Sequence, residues 1–383
     1  MHCGEEFDRQ IALPRGLSDD VWDLLKAHGI GVDLADERNP GKPVNLHFHG
    51  ELTSDQQRAA DALLAADHGV LSAPTAFGKT VVAASMIARR GANTLIIVHK
   101  VHLVEQWRAR LAAFLDLPPR AIGQFGAGRK KATGLIDIAT FQSLVRRGVV
   151  ADLVAEYGQV IVDECHHVPA KEFEPVLRAA KARFVLGLTA TPVRRDGQHP
   201  IIVMQCGPVR FRLDAKDAAA ARPFSQVAIT RQTGFALAPE LEGAGIQRIY
   251  AALAADAARD DLICADVRHL LAEGRTPLVL TERIDHLEAL SAHLAAAAPH
   301  VLVLRGGVGR RRRRAATEAL AAVGDGEPCV LLATGRYIGE GFDDARPDTL
   351  LLTMPVSWRG TIWQYAGRIS RPRPDKHEVR IYD

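Results

Sequence analysis

The sequence is poor in the features that would commit it to a membrane, to secretion or to a metal-stapled fold. Its five cysteines, Cys3, Cys165, Cys206, Cys264 and Cys329, are odd in number and show no C-x-x-C spacing. That argues against a disulfide framework or a structural zinc site and makes a reducing, cytoplasmic setting the expectation. Long apolar runs are also missing. The run Leu350, Leu351, Leu352 within residues 349–354 is far short of the roughly 20 residues that span a bilayer. Near the start, Glu5, Glu6 and Asp8 replace the apolar core that a signal peptide needs. Excess charge is absent too: a net +3 over 383 residues does not announce a nucleic-acid partner, so any basic footprint must be local. His47 and His49 alternate along the chain without further ligands nearby, and read as solvent-facing rather than metal-binding.

What is there suffices for two or three cores, with 47% hydrophobic and 24% charged residues. Residues 1–49 read as a small N-terminal segment. In it, 11–16 suggest a short strand and turn, and Ser18 is expected to cap a helix carrying Val21, Trp22, Leu24 and Leu25 that ends at Gly29 or Gly31. A charged, Gly- and Pro-containing loop, 36–43, then marks a boundary. The sparse basic residues of this segment favour packing over contact with DNA.

From about residue 50, short apolar runs at 69–72, 94–99, 135–141, 159–163 and 184–189 alternate with helical runs, notably 102–115 and 171–182. That order predicts an α/β fold with a parallel sheet flanked by helices, and ligands bound beyond the carboxyl ends of the strands. After an aperiodic stretch at 208–245, read as the crossing between domains, a second series follows. Its strands fall at 277–280, 301–304, 329–333, 349–354 and 379–382, with a helix at 284–294.

Residues 73–80 read APTAFGKT between a strand and a helix. Backbone N–H groups of such a loop, with Ala76 and Gly78 among them, form a nest for phosphate oxygens in front of the helix dipole. Lys79 would reach the β/γ oxygens of a nucleoside triphosphate and Thr80 would bind Mg²⁺. Ala73 stands where the usual pattern has glycine, so taken alone the segment reads either this way or as an ordinary strand-to-helix turn. Downstream, VIVDECHH ends a strand on two acids, a costly arrangement without a cation or solvent. Asp163 would hold Mg²⁺ and Glu164 would deprotonate the attacking water. His166 reads as a hydrogen-bonded linker, Thr189 and Thr191 of LTATP as couplers at a strand end, and Cys165 as a small filler.

APTAFGKT, IIVHK with Gln106 and Trp107, DIATFQSL, DECH and GLTATPVRRDG occur in the order of the superfamily 2 helicase motifs, which the chain resembles from about 50 to 383. Ala73 is normal for that superfamily. The resemblance implies two RecA-like domains, here 50–221 and 222–383, with ATP and Mg²⁺ between them. It implies that Gln56, with Gln57 as the alternative, reads adenine, and that His99, Lys100, Thr140 and Gln142 touch a nucleic-acid strand. TGRYIGEGFDD and QYAGRISR resemble motifs V and VI. Arg368 and Arg371 would then be the cations on the γ-phosphate, Gln364 would lie near it and Asp343 near the ribose. The run Arg310 to Arg314 reads equally as a solvated face or as phosphate contacts through Arg310 and Arg311. The implied activity is that of an ATP-dependent DNA helicase or translocase, with RNA left open. The wording looks most like the XPB and RadD helicases and the helicase part of primase-helicases from TOTE conflict systems. A motor working beside an accessory nuclease or primase, and a nucleic-acid-binding module with weak ATPase activity, are the other readings.

Overall fold

Apolar strands without alternation need cover on both faces, and helices between parallel strands supply it. The computed structural model describes residues 4–8, 10–31, 33–126, 128–167, 174–190, 200–214, 217, 224–339, 342, 344–356, 359–371 and 373–383. The chain divides into two compact units, Met1–Ala215 and Lys216–Asp383. The expected boundary at 221/222 lies outside the described residues.

The first unit is built on β1 (His68–Ser72), β2 (Thr94–Val98), β3 (Gly123–Gly126), β4 (Arg129–Lys131), β5 (Ile136–Thr140), β6 (Gln159–Asp163), β7 (Phe184–Thr189) and β8 (Val209–Arg212). Their order is β8-β1-β7-β6-β2-β5-β3-β4. All neighbours are parallel except β3 and β4. In register, Leu186, Ile161, Ile96 and Ile138 line one face, while Val185, Val160, Leu95 and Ala139 help fill the core on the other.

The N-terminal residues pack on this unit. Arg15 donates to the carbonyls of Leu177 (3.1 Å) and Ala180 (2.5 Å), and a Cβ on Gly16 would come within 1.7 Å of the Val203 carbonyl oxygen, so only glycine fits there. Helix α1 (Ser18–Ala27) departs from expectation at its start. The turn Arg15–Leu17 runs straight into it, Ser18 already has helical backbone angles, and Leu17 occupies the cap position without a side-chain bond.

Helices α2 (Ser54–Leu64), α3 (Lys79–Arg90) and α4 (Val101–Phe114) cover the isoleucine face through Leu63, Met86 and Trp107. The opposite face receives α5 (Glu174–Ala179) and α6 (Pro200–Cys206) through Leu177 and Ile202.

The second unit holds β9 (Ser225–Ile229), β10 (Pro277–Thr281), β11 (His300–Leu304), β12 (Cys329–Thr334), β13 (Thr349–Leu352) and β14 (Glu378–Tyr382) in the order β9-β14-β13-β10-β12-β11, all parallel. Helices α7 (Ala257–Ala272) and α8 (Ile284–Leu294) pack on Val279, Val330 and Leu332. Among the described residues no helix is long and apolar enough to cross a membrane.

Candidate active site

The loop after β1 is shaped by two residues with positive φ, Ala76 (φ 73°) and Gly78 (φ 87°). Gly78 precedes α3 in the left-handed conformation that glycine adopts without a Cβ clash. Ala76 has no such exemption, and a non-glycine residue held there marks backbone strain of the kind that functional loops retain. Gln56 supports the loop from α2: its backbone N–H donates to the Thr53 hydroxyl oxygen in a capping box, while its Nε2 donates to the Phe77 carbonyl at 2.7 Å. Gln57 turns instead to Asp61. Lys79 opens α3, and its Nζ donates to the carbonyls of Ala73 (2.8 Å) and Pro74 (3.3 Å). Thr80 follows, half-buried in the first turn.

Two strands away in the sheet, β6 ends at Asp163, and Glu164 turns the chain with φ 50°. The acids are separated electrically. Burial, followed by the Glu164 charge, pushes Asp163 up to about 6, although the Trp107 N–H and the Lys79 ammonium oppose it. Burial acts to raise Glu164 as well, but His166 and Lys79 outweigh it and hold this carboxyl well below the usual range. One carboxylate therefore stays ionised while its neighbour can carry a proton near neutrality, a division suited to a base and a cation ligand. His166 Nδ1 lies 3.2 Å from Glu164 Oε2 and 3.0 Å from Thr189 Oγ1, and the Thr189 carbonyl accepts from Ala73 N at 3.0 Å. Contacts thus run from the acidic turn through His166 and Thr189 to the phosphate loop. Thr191 lies outside the described residues.

Trp107 has a place at the site that its sequence position does not announce. Its Nε1 donates to Asp163 Oδ2 at 2.8 Å from within α4. Nothing in the spacing links residues 56 positions apart, and the only signal was a tryptophan on a helix bordering the expected ligand edge.

The residues expected to touch a strand share that edge. His99 and Lys100 follow β2, Thr140 ends β5 beside it, and Gln142 Nε2 donates to the His99 carbonyl at 3.2 Å. The Thr140 hydroxyl lies 2.5 Å from Ser143 Oγ.

In the second unit, α9 (Arg310–Ala322) carries the charge run, with Arg311 exposed and Arg314 bonded to Glu318 at 2.6 Å. The next long helix, α10 (Arg359–Ile369), presents Gln364 and Arg368. Arg368 Nη1 (3.1 Å) and Arg371 Nη2 (3.5 Å) both donate to the Phe342 carbonyl, so the two arginines are gathered at one point. Asp343, next in sequence, lies outside the described residues. Buried Lys376 fastens this region, donating to the carbonyls of Ala345 (2.7 Å), Pro347 (2.8 Å) and Ile369 (2.9 Å).

Comparison with known proteins finds similarity to helicases. Residues 49–194 match the family described as type III restriction enzyme, res subunit. The chain is 36% identical over 205 residues to the DNA 3'-5' helicase XPB of Mycobacterium tuberculosis, a match covering 51% of this chain and 37% of that protein. It is 32% identical over 169 residues to the DNA 3'-5' translocase XPB2 of Sulfurisphaera tokodaii, covering 44% and 37%. A probable helicase, D10, of Escherichia phage T5 is 24% identical over 368 residues, covering 94% of this chain and 77% of the phage protein. The matches to the two XPB proteins thus span little more than a third of their length.

Proposed function

We propose, for a chain that carries the res-subunit helicase domain over residues 49–194 and is similar to XPB-type DNA helicases, an ATP-dependent motor that hydrolyses ATP and moves along DNA in the cytoplasm. The observation that carries this reading is the opposed pair of acids under the field of Lys79, beside a loop strained open at Ala76. Loop N–H groups bind the phosphates, and Lys79 exchanges the Ala73 and Pro74 carbonyls for phosphate oxygens. Ionised Glu164 takes the proton of the attacking water. The Thr80 hydroxyl and the Asp163 carboxylate are hard oxygen donors that fit Mg²⁺, which would neutralise phosphate charge there. Gln56 reads adenine, with Asp343 at the ribose. Arg368 and Arg371 supply positive charge to the γ-phosphate, with Gln364 alongside.

In this reading the functional division is a small segment at 1–49 and RecA-like domains at 50–221 and 222–383. His99, Lys100, Thr140 and Gln142, with Arg310 and Arg311 of the second domain, hold the strand. His166, Thr189 and Thr191 link its affinity to the state of the nucleotide, because a ligand moves an equilibrium only through differential binding.

ATP hydrolysis measured without polymer, with single-stranded DNA and with RNA tests the proposal. Stimulation by DNA, abolished in Lys79→Ala, is expected; hydrolysis indifferent to both polymers, or unaltered by the substitution, refutes it. The family match also favours a second reading, a motor that serves a nuclease on another chain. DNA-stimulated hydrolysis without strand separation is its signature.

A further inference from the structure

The sequence has little net charge to spare, yet one stretch is strongly one-sided. Between Asp116 and Asp152 it has Arg120, Arg129, Lys130, Lys131, Arg146 and Arg147 against a single acid, Asp137. That acid is fully buried and turned inward, accepting from Tyr157 Oη (2.6 Å) and from the N–H groups of Thr133 and Gly134 (2.7 Å each). The surface of the stretch is therefore positive without compensation.

The fold concentrates five of these cations on two hairpins. The first is β3 and β4, where Arg129, Lys130 and Lys131 are all exposed and pair with Gly126, Phe125 and Gln124. The second joins Val145–Arg146 to Val149–Val150, with Arg146 and Arg147 exposed at the tip and Arg147 (φ 52°) and Gly148 (φ 79°) making the turn. Phe125 of one hairpin and Val145 and Val150 of the other pack against the same core cluster. Lys130 Nζ lies 5.7 Å from the Phe125 ring centroid, and among the described residues none of the five cations pairs with a carboxylate. Both hairpins abut the edge described above. A Cβ on Gly126 would fall 2.7 Å from Thr140 Oγ1 and 2.2 Å from Ser143 Oγ, so the first hairpin turns directly against Thr140, and the second leaves the short helix that carries Gln142.

We infer that these two hairpins extend the strand-binding edge of the first unit as a sequence-independent site for the phosphodiester backbone of a nucleic acid. Unpaired cations beside polar groups able to touch sugar and phosphate are complementary to a strand running past Thr140 and Gln142 and out along the hairpins. The inference rests on the motor reading, which supplies the strand, and adds residues that no helicase motif in the sequence contains. Lysines on an edge strand also discourage sheet extension, and the experiment separates that role from binding.

The test measures binding of a fluorescein-labelled thymidine oligomer by anisotropy across a salt series, for the full chain and for R129Q/K130Q/K131Q, R146Q/R147Q and the charge-keeping R129K/R146K/R147K. Each neutralised phosphate contact on a single strand contributes about 0.7 to the slope of log K against log salt. The triple glutamine variant should lose about 2 from the slope and the double variant about 1.4, each with a weakening of tenfold or more at low salt. The lysine variant should keep the parental slope, and ATP hydrolysis without polymer should be unchanged throughout. Slopes equal to the parent in both glutamine variants overturn the inference, as does self-association of the triple variant with the slope retained, which assigns the lysines to edge protection. Stronger competition by polyglutamate than by the oligomer also overturns it, in favour of an acidic protein partner. A parent that hydrolyses ATP but binds no oligomer defeats this site, whereas a parent inert towards ATP defeats the motor reading itself.

Discussion

Replacing Asp163 with asparagine should stabilise the nucleotide-free protein while disabling it. The carboxyl rises from 3.8 to about 6 because burial and Glu164 disfavour its charge. A shift of roughly 2 units is worth about 3 kcal/mol against the folded state at neutral pH. Asparagine has nearly the same shape, can still accept the Trp107 N–H through its side-chain oxygen, and relieves Glu164 of a like charge. The sign follows from linkage. The raised carboxyl favours folding only below its unfolded value of 3.8, and that contribution is lost as pH rises through about 6. The advantage of Asp163→Asn should therefore be full above pH 6 and shrink as pH falls towards 3.8. At about 2–4 °C per kcal/mol for a domain of this size, thermal unfolding in EDTA at pH 7.5 should move up by several degrees, and ATP hydrolysis should be lost. A variant that melts at or below the parent at pH 7.5, or whose gain is the same at pH 4.5, would refute the assignment of strain to this carboxylate.

Three other outcomes are expected. Trp107→Phe removes a hydrogen bond that favours ionised Asp163, so the acid limb of kcat/KM should move from about 6 upward by about one unit; an unmoved limb would separate Trp107 from the chemistry. Arg371→Ala should leave nucleotide affinity nearly intact and lower kcat on the order of a thousandfold, and a loss confined to binding would exclude it as the γ-phosphate cation. Lys376→Met leaves three carbonyls without their donor. It should cost about 3 kcal/mol in chemical denaturation, and an unchanged midpoint would show that water replaces the ammonium.

The central strands were legible because burial on both faces leaves uninterrupted runs such as VIVD and TLIIV, which few other environments tolerate. The edge strands were not. Arg129–Lys131 is entirely exposed and Val209–Arg212 only partly covered, so no apolar pattern reports them, whereas Val227 and Ile229 give Ser225–Ile229 a partial strand signal. Ser18 misled for a local reason, since a cap preference says nothing about a turn entering the helix from upstream. At the site, the loop and the acids announced themselves through residue type. The sequence already favoured Gln56 over Gln57, but the bond of Gln56 to the loop needed coordinates, because adjacent helical positions point about 100° apart and only one faces the loop. Trp107 and Asp163 meet only through the packing of a helix on a sheet.

The order of strands in the second sheet bears on how the molecule is made. Strand β14 (Glu378–Tyr382) lies between β9 (Ser225–Ile229) and β13 (Thr349–Leu352). On a ribosome, the earliest described strand of this unit must wait until some 150 later residues have emerged, because among the described strands its neighbour is the latest of the six in sequence. The first unit differs: the described strands of its sheet have all appeared once Arg212 has been made. Birth order thus favours a nucleotide-loop half that matures while its arginine-bearing companion is still being translated.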